Sequence, residues 1–101
     1  MTIAEFQDVV RRTYLAKDST RPGGGTFLWF VEEVGELAEA IREGAPRKAL
    51  AEEFADVFAW LVSLANIHGV EMDEAVSKYA RGCPRCGKIP CSCPEKRPSG
   101  A

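Results

Sequence analysis

Two pairs of acidic residues are the strongest candidates for a chemical role in this sequence. Glu33 and Glu36 form an ExxE pair, and Glu53 and Asp56 form an ExxD pair. Residues three apart are neighbours on one face of a helix, so each pair presents its two carboxylates together. Carboxylates that converge repel one another unless they protonate, move apart or bind a cation. Because an all-oxygen set of ligands suits a hard cation, the pattern predicts a Mg²⁺ or Mn²⁺ site.

A solvated acidic helix face is the simpler interpretation of any one of these glutamates, because glutamate is a good helix former. Other acids on the same helices, such as Glu32, Glu39 and Glu52, are expected to point toward solvent. The metal interpretation is favoured for the two pairs because both border an apolar stripe. Unpaired charges that cluster beside apolar surface are costly, so a cation is expected to accompany them.

The C-terminal segment carries a second set of candidate ligands. Its cysteines, all within "CPRCGKIPCSC", are Cys83, Cys86, Cys91 and Cys93. The first two lie in a CPxCG pattern that resembles half of a zinc ribbon, although the CxC that follows departs from the usual CxxC. Four thiolates suit tetrahedral Zn²⁺, and a reducing cytoplasm favours structural zinc over disulfides. An Fe–S site, or zinc shared between protomers, is also compatible with four cysteines. A closed Cys₄ site would add stability or assembly rather than catalysis, because it leaves no open coordination position.

The segments that contain these residues are predicted to be helices. Apolar residues recur with helical spacing in four segments, and no segment alternates with a period of two as a strand would. Residues 17–26, "KDSTRPGGGT", form a loop because they include a proline and three glycines, and Thr26 is a candidate cap for the next helix. The predicted helices are 3–16, 27–43, Pro46 to about Ile67, and a short fourth helix over 72–79.

The turn Gly44–Ala45–Pro46 predicts an antiparallel hairpin of the second and third helices, because it is too short for another arrangement. Residues at one level of such a hairpin have numbers with a constant sum. Two carboxylate layers then lie about 4.5 Å apart along the axes, with a tryptophan layer about 6 Å beyond them. Large aromatic residues at helical spacing are more often core, so a platform for a nucleotide base is the alternative interpretation of the tryptophans. The predicted pairs are Glu36 with Glu53, Glu33 with Asp56, and Trp29 with Trp60.

Length and composition favour one small domain. The chain has 101 residues, 46% of them hydrophobic, and a net charge of −2, so a nucleic-acid polymer is not an expected partner. A domain of this size is marginal alone, which favours oligomerisation. No apolar run approaches the ~20 residues of a membrane span, and "MTIAEFQDVVRRTY" has no signal-peptide apolar core. We therefore expect a cytoplasmic all-α protein, with a helical domain at 1–81 and a Cys-rich, zinc-binding tail at 82–101.

Together these stretches resemble a known family. "FVEEVGELAEAI" followed by "LAEEFADVFAWLVSLAN" resembles the MazG-like nucleotide pyrophosphohydrolases, and the similarity covers about residues 5–81. The signature of that family, ExxE, a spacer and ExxD, falls here on Glu33, Glu36, Glu53 and Asp56. The apolar residues around the acids match as well. The resemblance implies a four-helix MazG-like bundle that works as a homodimer or homotetramer.

The resemblance also implies a reaction. Members of the family cleave nucleoside triphosphates to the monophosphate and pyrophosphate with Mg²⁺, in some cases to cleanse the nucleotide pool. The four acids would hold the metal, one of them (Glu33 or Glu36) would act as base, and a water would attack the α-phosphorus. Phosphates also need cations outside the metal site, and the glycine-rich loop is expected to close over the substrate. The candidate substrate-binding residues are Trp29, Trp60, Lys17, Arg21, Lys78, Arg81 and Asn66.

Two further functions are compatible with the sequence. One is a non-catalytic helical adaptor whose cysteine tail binds a partner. The second is a related hydrolase such as a phosphoribosyl-ATP pyrophosphohydrolase. Enzyme and adaptor differ in their response to ligands. An enzyme gains thermal stability from Mg²⁺ with a non-hydrolysable nucleotide, because a ligand that binds only the folded state stabilises it.

Overall fold

The computed structural model describes residues 1–21 and 24–95 of the 101-residue chain. Pro22 and Gly23 of the glycine-rich loop, and residues 96–101 of the predicted tail, lie outside the described residues. Every regular element in the described ranges is helical, which confirms the predicted all-α class for this part of the chain. The elements are α1 (Ile3–Asp18), α2 (Gly25–Arg42), α3 (Arg47–Ile67), α4 (Met72–Ala75) and a 3₁₀ helix (Val76–Tyr79).

Helix α1 begins with a capping box and runs slightly longer than the sequence predicts. The Thr2 hydroxyl accepts a hydrogen bond from the Glu5 N–H at 3.0 Å, and a Glu5 carboxylate oxygen accepts one from the Thr2 N–H at 2.7 Å. These bonds satisfy two N–H groups that a helix start leaves free, and they lower the pKa of Glu5. The helix ends at Asp18 instead of residue 16, so Asp18 belongs to α1 and not to the loop.

The start of α2 differs from the prediction. Thr26 is the cap that the sequence predicts, but the helix begins at Gly25 and its N-cap residue is Gly24, without a side-chain cap. Thr26 therefore lies inside the first turn, where it is buried. Its hydroxyl oxygen accepts a hydrogen bond from Nη1 of Arg21 at 3.2 Å. Instead of capping the helix, the Thr26 side chain helps to hold the guanidinium of Arg21.

A tight turn connects α2 to α3. Gly44 has φ 67°, a left-handed conformation that glycine adopts without strain. The Gly44 N–H donates to the Ile41 carbonyl at 3.2 Å, and the Ala45 N–H donates to the Ala40 carbonyl at 3.0 Å, which ends α2. Pro46 follows as the N-cap residue of α3. The turn leaves α2 and α3 packed against each other, and α1 packs on α3.

The apolar core within one chain is small. The buried hydrophobic residues of the described chain are Val10, Val62 and Ala65. Phe6 of α1 stacks on Phe58 of α3 with ring centroids 5.2 Å apart. These contacts fix α1 against the C-terminal half of α3, which also carries Trp60 and Ser63.

A buried amide ties α1, α3 and α4 together. Gln7 is fully buried, and its Nε2 donates to Oδ1 of Asn66 at 3.0 Å and to the Val70 carbonyl at 2.8 Å. Its Oε1 accepts a hydrogen bond from the Met72 N–H at 2.8 Å. Since each buried polar group of this amide has a partner, Gln7 sets how the three helices meet without a desolvation penalty.

The apolar stripes of α2 and α3 are largely exposed in the single chain. Val31 is 50% exposed and Phe54 is 54% exposed. The reason is architectural, because α1 lies against α3 and leaves much of the hairpin uncovered. No described helix combines the length and the apolar character needed to cross a membrane. The exposed stripe residues include Phe27, Val31, Val34, Ile41, Phe54, Phe58 and Leu61.

Candidate active site

Three carboxylates meet where α2 passes α3. One oxygen from each of Glu33, Glu53 and Asp56 lies within 4.8 Å of the other two. Glu33 comes from α2, and the other two residues come from α3. We call these three residues the acid cluster. The hairpin thus places the first glutamate of the ExxE pair beside both acids of the ExxD pair.

The electrostatics of the acid cluster suit a cation. Oε2 of Glu33 and Oε2 of Glu53 are buried and find no hydrogen-bond partner among the described residues. Burial raises the pKa of Glu33, and the charges of Glu36 and Asp56 raise it further. Burial also raises the pKa of Glu53, with the same two neighbours adding to the effect. Buried acceptors without a donor are rare in native proteins, and an all-oxygen donor set fits Mg²⁺ or Mn²⁺. The residues present therefore fit the cation that the sequence predicts.

Glu36 stands next to the acid cluster without being a member of it. Its charge acts on both Glu33 and Glu53. Together with Glu39, Glu43 and Glu53 it lines an open cavity of about 300 Å³. Glu36 is exposed, as is Asp56, whereas Glu33 and Glu53 are half-buried. The mutual distances of the carboxylates, and not their exposure, separate a converging group of three from a neighbouring fourth.

A deeper cavity of about 240 Å³ adjoins the acid cluster, and Asp56 belongs to both. We call it the tryptophan cavity. It lies between the end of α1, the start of α2 and the second half of α3. One end is acidic and the rest is mainly aromatic and cationic. Its lining residues are Tyr14, Lys17, Asp18, Arg21, Trp29, Asp56, Ala59, Trp60 and Ser63.

Two tryptophans and an arginine form the wall of this cavity. Trp29 and Trp60 meet edge to face, with ring centroids 5.4 Å apart and an interplanar angle of 82°. The Arg21 guanidinium lies over Trp29 at 4.4 Å and near Trp60 at 5.3 Å, distances at which a cation is attracted to an aromatic ring. Asp18 forms an ion pair with Arg21, and Thr26 accepts a further hydrogen bond from it. The guanidinium is therefore held in place by three kinds of contact.

The structure brings together some of the predicted substrate-binding residues and not others. Trp29, Trp60, Lys17 and Arg21 all line the tryptophan cavity. Asn66, Lys78 and Arg81 are not among its lining residues. The side chain of Asn66 bonds to Gln7, through Oδ1 at 3.0 Å and through Nδ2 to the Gln7 carbonyl at 3.4 Å. The Lys78 ammonium lies 5.4 Å from the centre of the Tyr79 ring, and Arg81 is exposed beyond the 3₁₀ helix.

Three polar residues of this cavity are not predicted from the sequence, namely Tyr14, Asp18 and Ser63. Asp18 is 4% exposed and Ser63 is 5% exposed, so both are buried polar side chains beside a cavity. A signal for Asp18 was present, because it lies three residues before Arg21, the spacing of an ion pair on one helical turn. A signal for Ser63 was also present, because it follows Trp60 by three residues on the same face of α3.

The cysteines also converge. Four sulfur atoms lie within 4.8 Å of one another, those of Cys83, Cys86, Cys91 and Cys93. We call these residues the cysteine cluster. Hydrogen bonds from the backbone of Ser92 and Lys88 lower the pKa of Cys86 to about 6. Hydrogen bonding with the neighbouring thiols Cys91, Cys83 and Cys86 raises the pKa of Cys93 to about 12. The four sulfurs cannot all carry a charge at this spacing without a compensating cation.

Comparison with known proteins places the chain in a family. A family model described as the MazG nucleotide pyrophosphohydrolase domain matches residues 25–87 of the 101. The match includes α2, α3, the acid cluster and both tryptophans, and it extends to Cys83 and Cys86. A search among curated proteins found no match to this chain.

Proposed function

Because the chain belongs to the MazG nucleotide pyrophosphohydrolase family, we propose that it hydrolyses nucleoside triphosphates to the monophosphate and pyrophosphate. The observation that carries the proposal is the acid cluster with its two unpartnered buried oxygens, placed at the end of an aromatic and cationic cavity. A triphosphate needs divalent metal and positive charge, and a base needs a flat apolar surface. The two adjoining sites offer both.

Glu33, Glu53 and Asp56 are the residues proposed to hold Mg²⁺ or Mn²⁺. A cation held by these residues would supply positive charge to offset that of the phosphate oxygens. The protein contributes the fixed geometry, since the acids lie on two helices joined by a tight turn. A site built on rigid helices keeps the phosphates oriented better than one built on loops.

Glu36 is proposed to accept the proton of the attacking water at its carboxylate. It is close enough to the cluster for its charge to act on Glu33 and Glu53, yet it is not one of the three converging ligands. A general base must lie within hydrogen-bond reach of the water that it activates. Glu36→Gln should therefore lose turnover while it keeps the stabilisation that Mg²⁺ gives. Loss of Mg²⁺ stabilisation in that variant would show that Glu36 is a ligand instead.

The tryptophan cavity is proposed to hold the base, and its cations are proposed to meet the phosphates. Stacking of a base on an aromatic side chain is worth about 1–3 kcal/mol and tolerates different bases. Arg21 already lies over the tryptophan rings, so a base that enters the cavity meets a wall whose position is fixed. Lys17 adds a second cation to the lining.

A homodimer or homotetramer is part of the same proposal. The exposed stripes of α2 and α3 offer a large apolar surface, and apolar surface of this kind marks interfaces in soluble proteins. Sedimentation velocity would test it, and a monomer at micromolar concentration would contradict it.

The decisive experiment is hydrolysis of a panel of ordinary and damaged (d)NTPs with and without Mg²⁺, with pyrophosphate and monophosphate both measured. Asp56→Asn should abolish release, whereas Glu32→Gln, an exposed acid on α2, should retain it. Hydrolysis in H₂¹⁸O identifies the bond, because attack at the α-phosphorus leaves the label in the monophosphate. Release of inorganic phosphate instead of pyrophosphate, or wild-type activity in Asp56→Asn, would overturn the proposal.

A further inference from the structure

The geometry of the cysteine cluster points to a site for one Zn²⁺ ion bound within a single chain, which we propose as a structural site separate from the hydrolytic one. The distances between the sulfur atoms support the assignment of a zinc site. The sulfurs of Cys83 and Cys93 lie 3.7 Å apart, and those of Cys86 and Cys91 lie 4.0 Å apart. In a tetrahedron with Zn–S bonds of about 2.3 Å, the sulfurs are about 3.8 Å apart. The observed spacing therefore matches four thiolates around one zinc ion.

The same distances exclude disulfides in this conformation. A disulfide requires two sulfurs about 2.05 Å apart, and all four cysteines are free. Each close pair joins one cysteine of the first half, Cys83 or Cys86, to one of the second half. The segment therefore folds back on itself, and both halves of the site come from one chain.

The backbone of the segment is arranged to support metal-bound sulfur. The Ser92 N–H points at the Cys86 sulfur at 3.4 Å, and the Cys93 N–H points at the Cys91 sulfur at 3.3 Å. The Cys83 N–H donates to the Lys88 carbonyl at 3.2 Å, which closes the turn between the two halves. Hydrogen bonds to coordinating sulfur orient the ligands and reduce the charge that the metal must offset.

Gly82 makes this close folding sterically possible. It has φ 103°, and a Cβ at this position would lie 2.4 Å from a side-chain carbon of Ile89 and 2.8 Å from the Lys88 carbonyl oxygen. Only glycine fits such an approach. The turn is therefore compact without help from an apolar core, since Ile89 itself is 80% exposed. A short segment without a core needs another source of cohesion, and a structural zinc site supplies folding energy of that kind.

Charge is also balanced in this segment. Four thiolates with one Zn²⁺ carry a net charge of −2, and the segment itself holds Arg85 and Lys88 between its cysteines. The four protons of the thiols pass to solvent when the metal binds. Because all four positions of the tetrahedron are filled by sulfur, the site has no open position for a substrate or a water. Its role is to fix the chain after the 3₁₀ helix.

The test is the metal content of the whole chain purified without added zinc, measured by elemental analysis and by native mass spectrometry. One zinc per chain is expected. Replacement by Co²⁺ should give the intense ligand-field absorption of a tetrahedral thiolate site, and a chromogenic thiol reagent should react fully only after chelation. Cys86→Ser should lower the zinc content to near zero. Ser92→Ala is the matched control, since its backbone N–H is retained, and it should keep the full zinc content.

Three results would overturn the inference. Half a zinc per chain would mean that two chains share the ion. Iron with acid-labile sulfide would mean a cluster, and a mass lower by two hydrogens per cysteine pair would mean disulfides. The Co²⁺ titration of the wild-type chain decides the matter even if Cys86→Ser fails to fold. Failure here is distinct from failure of the proposed hydrolysis, because the metal content is measured without any nucleotide.

Discussion

The acid cluster makes a prediction about stability that is independent of turnover, namely that Glu33→Gln stabilises the metal-free protein. Glu33 has two carboxylate neighbours within 4.8 Å. Glu33 and Glu53 are only partly buried, so the value for water serves as a lower bound, and in water two unit charges at that distance repel by about 0.9 kcal/mol. Removing the charge of Glu33 should therefore raise the unfolding free energy by about 1–2 kcal/mol. For a domain of this size, each kcal/mol corresponds to roughly 4–8 °C in the melting temperature.

The raised pKa of Glu33 expresses the same cost. The folded state disfavours the ionised form, so the carboxyl contributes stability below its ordinary pKa of 4.5 that is lost as the pH rises through its folded value. The stabilisation by Glu33→Gln should accordingly grow as the pH rises above 4.5 and shrink as the pH falls below it.

The assay is thermal unfolding of wild type and Glu33→Gln in EDTA and in millimolar Mg²⁺. Wild type should have a lower melting temperature than the variant in EDTA. In Mg²⁺ the difference in melting temperature should shrink or change sign, because a cation that binds the folded state stabilises only the chain that can hold it. The matched control is Glu32→Gln on the same helix, which removes one charge at i−4 to Glu36 and should change stability by only about 0.2–0.5 kcal/mol. A Glu33→Gln variant that is less stable than wild type in EDTA would contradict the predicted repulsion, because it would show that the Glu33 carboxylate has a stabilising partner.

Three further variants test the cavity and the buried amide. Trp29→Ala should raise KM by about tenfold with little change in kcat, because the loss of base stacking costs about 1–3 kcal/mol. A large fall in the melting temperature would show instead that this half-exposed residue belongs to the core. Arg21→Lys should raise KM for triphosphates and lower the melting temperature by a few degrees, since lysine lacks the planar guanidinium that lies over the tryptophan rings. An unchanged KM would remove Arg21 from the substrate site. Asn66→Ala should cost about 1 kcal/mol of stability through the loss of its bonds to Gln7 while kcat/KM is retained, and a KM that rises at unchanged stability would instead place Asn66 on the substrate.

The hairpin is the part of the fold that the sequence predicts best. A glycine at the end of one apolar stripe and a proline at the start of the next define the turn, and the register follows because a helix advances by a fixed rise per residue. Trp29 beside Trp60, and Glu33 beside Asp56, are direct consequences of that register. Local rules suffice here because the two helices are adjacent in the chain.

The rest of the site depends on contacts between distant segments, which periodicity does not encode. Gln7 lies on a helix whose other positions fit an ordinary amphipathic pattern, and its bonds to Val70 and Met72 appear only when α1 lies across the end of α3. The position of Arg21 over the tryptophans likewise depends on how α1 ends. The exposure of the α2 and α3 stripes escapes prediction for the opposite reason, because periodicity identifies an apolar face without identifying what covers it.

Because the core of the single chain is small, the stability of the proposed enzyme should depend on its own concentration. With only Val10, Val62 and Ala65 as buried hydrophobic residues in the described chain, the exposed stripes of α2 and α3 offer apolar area that the proposed dimer would bury. For a folded dimer in equilibrium with unfolded monomers, each tenfold dilution costs about 1.4 kcal/mol of stability. The level of expression then sets the melting temperature as well as the amount of catalyst, so that activity in a cell should fall more steeply than the protein concentration when expression declines.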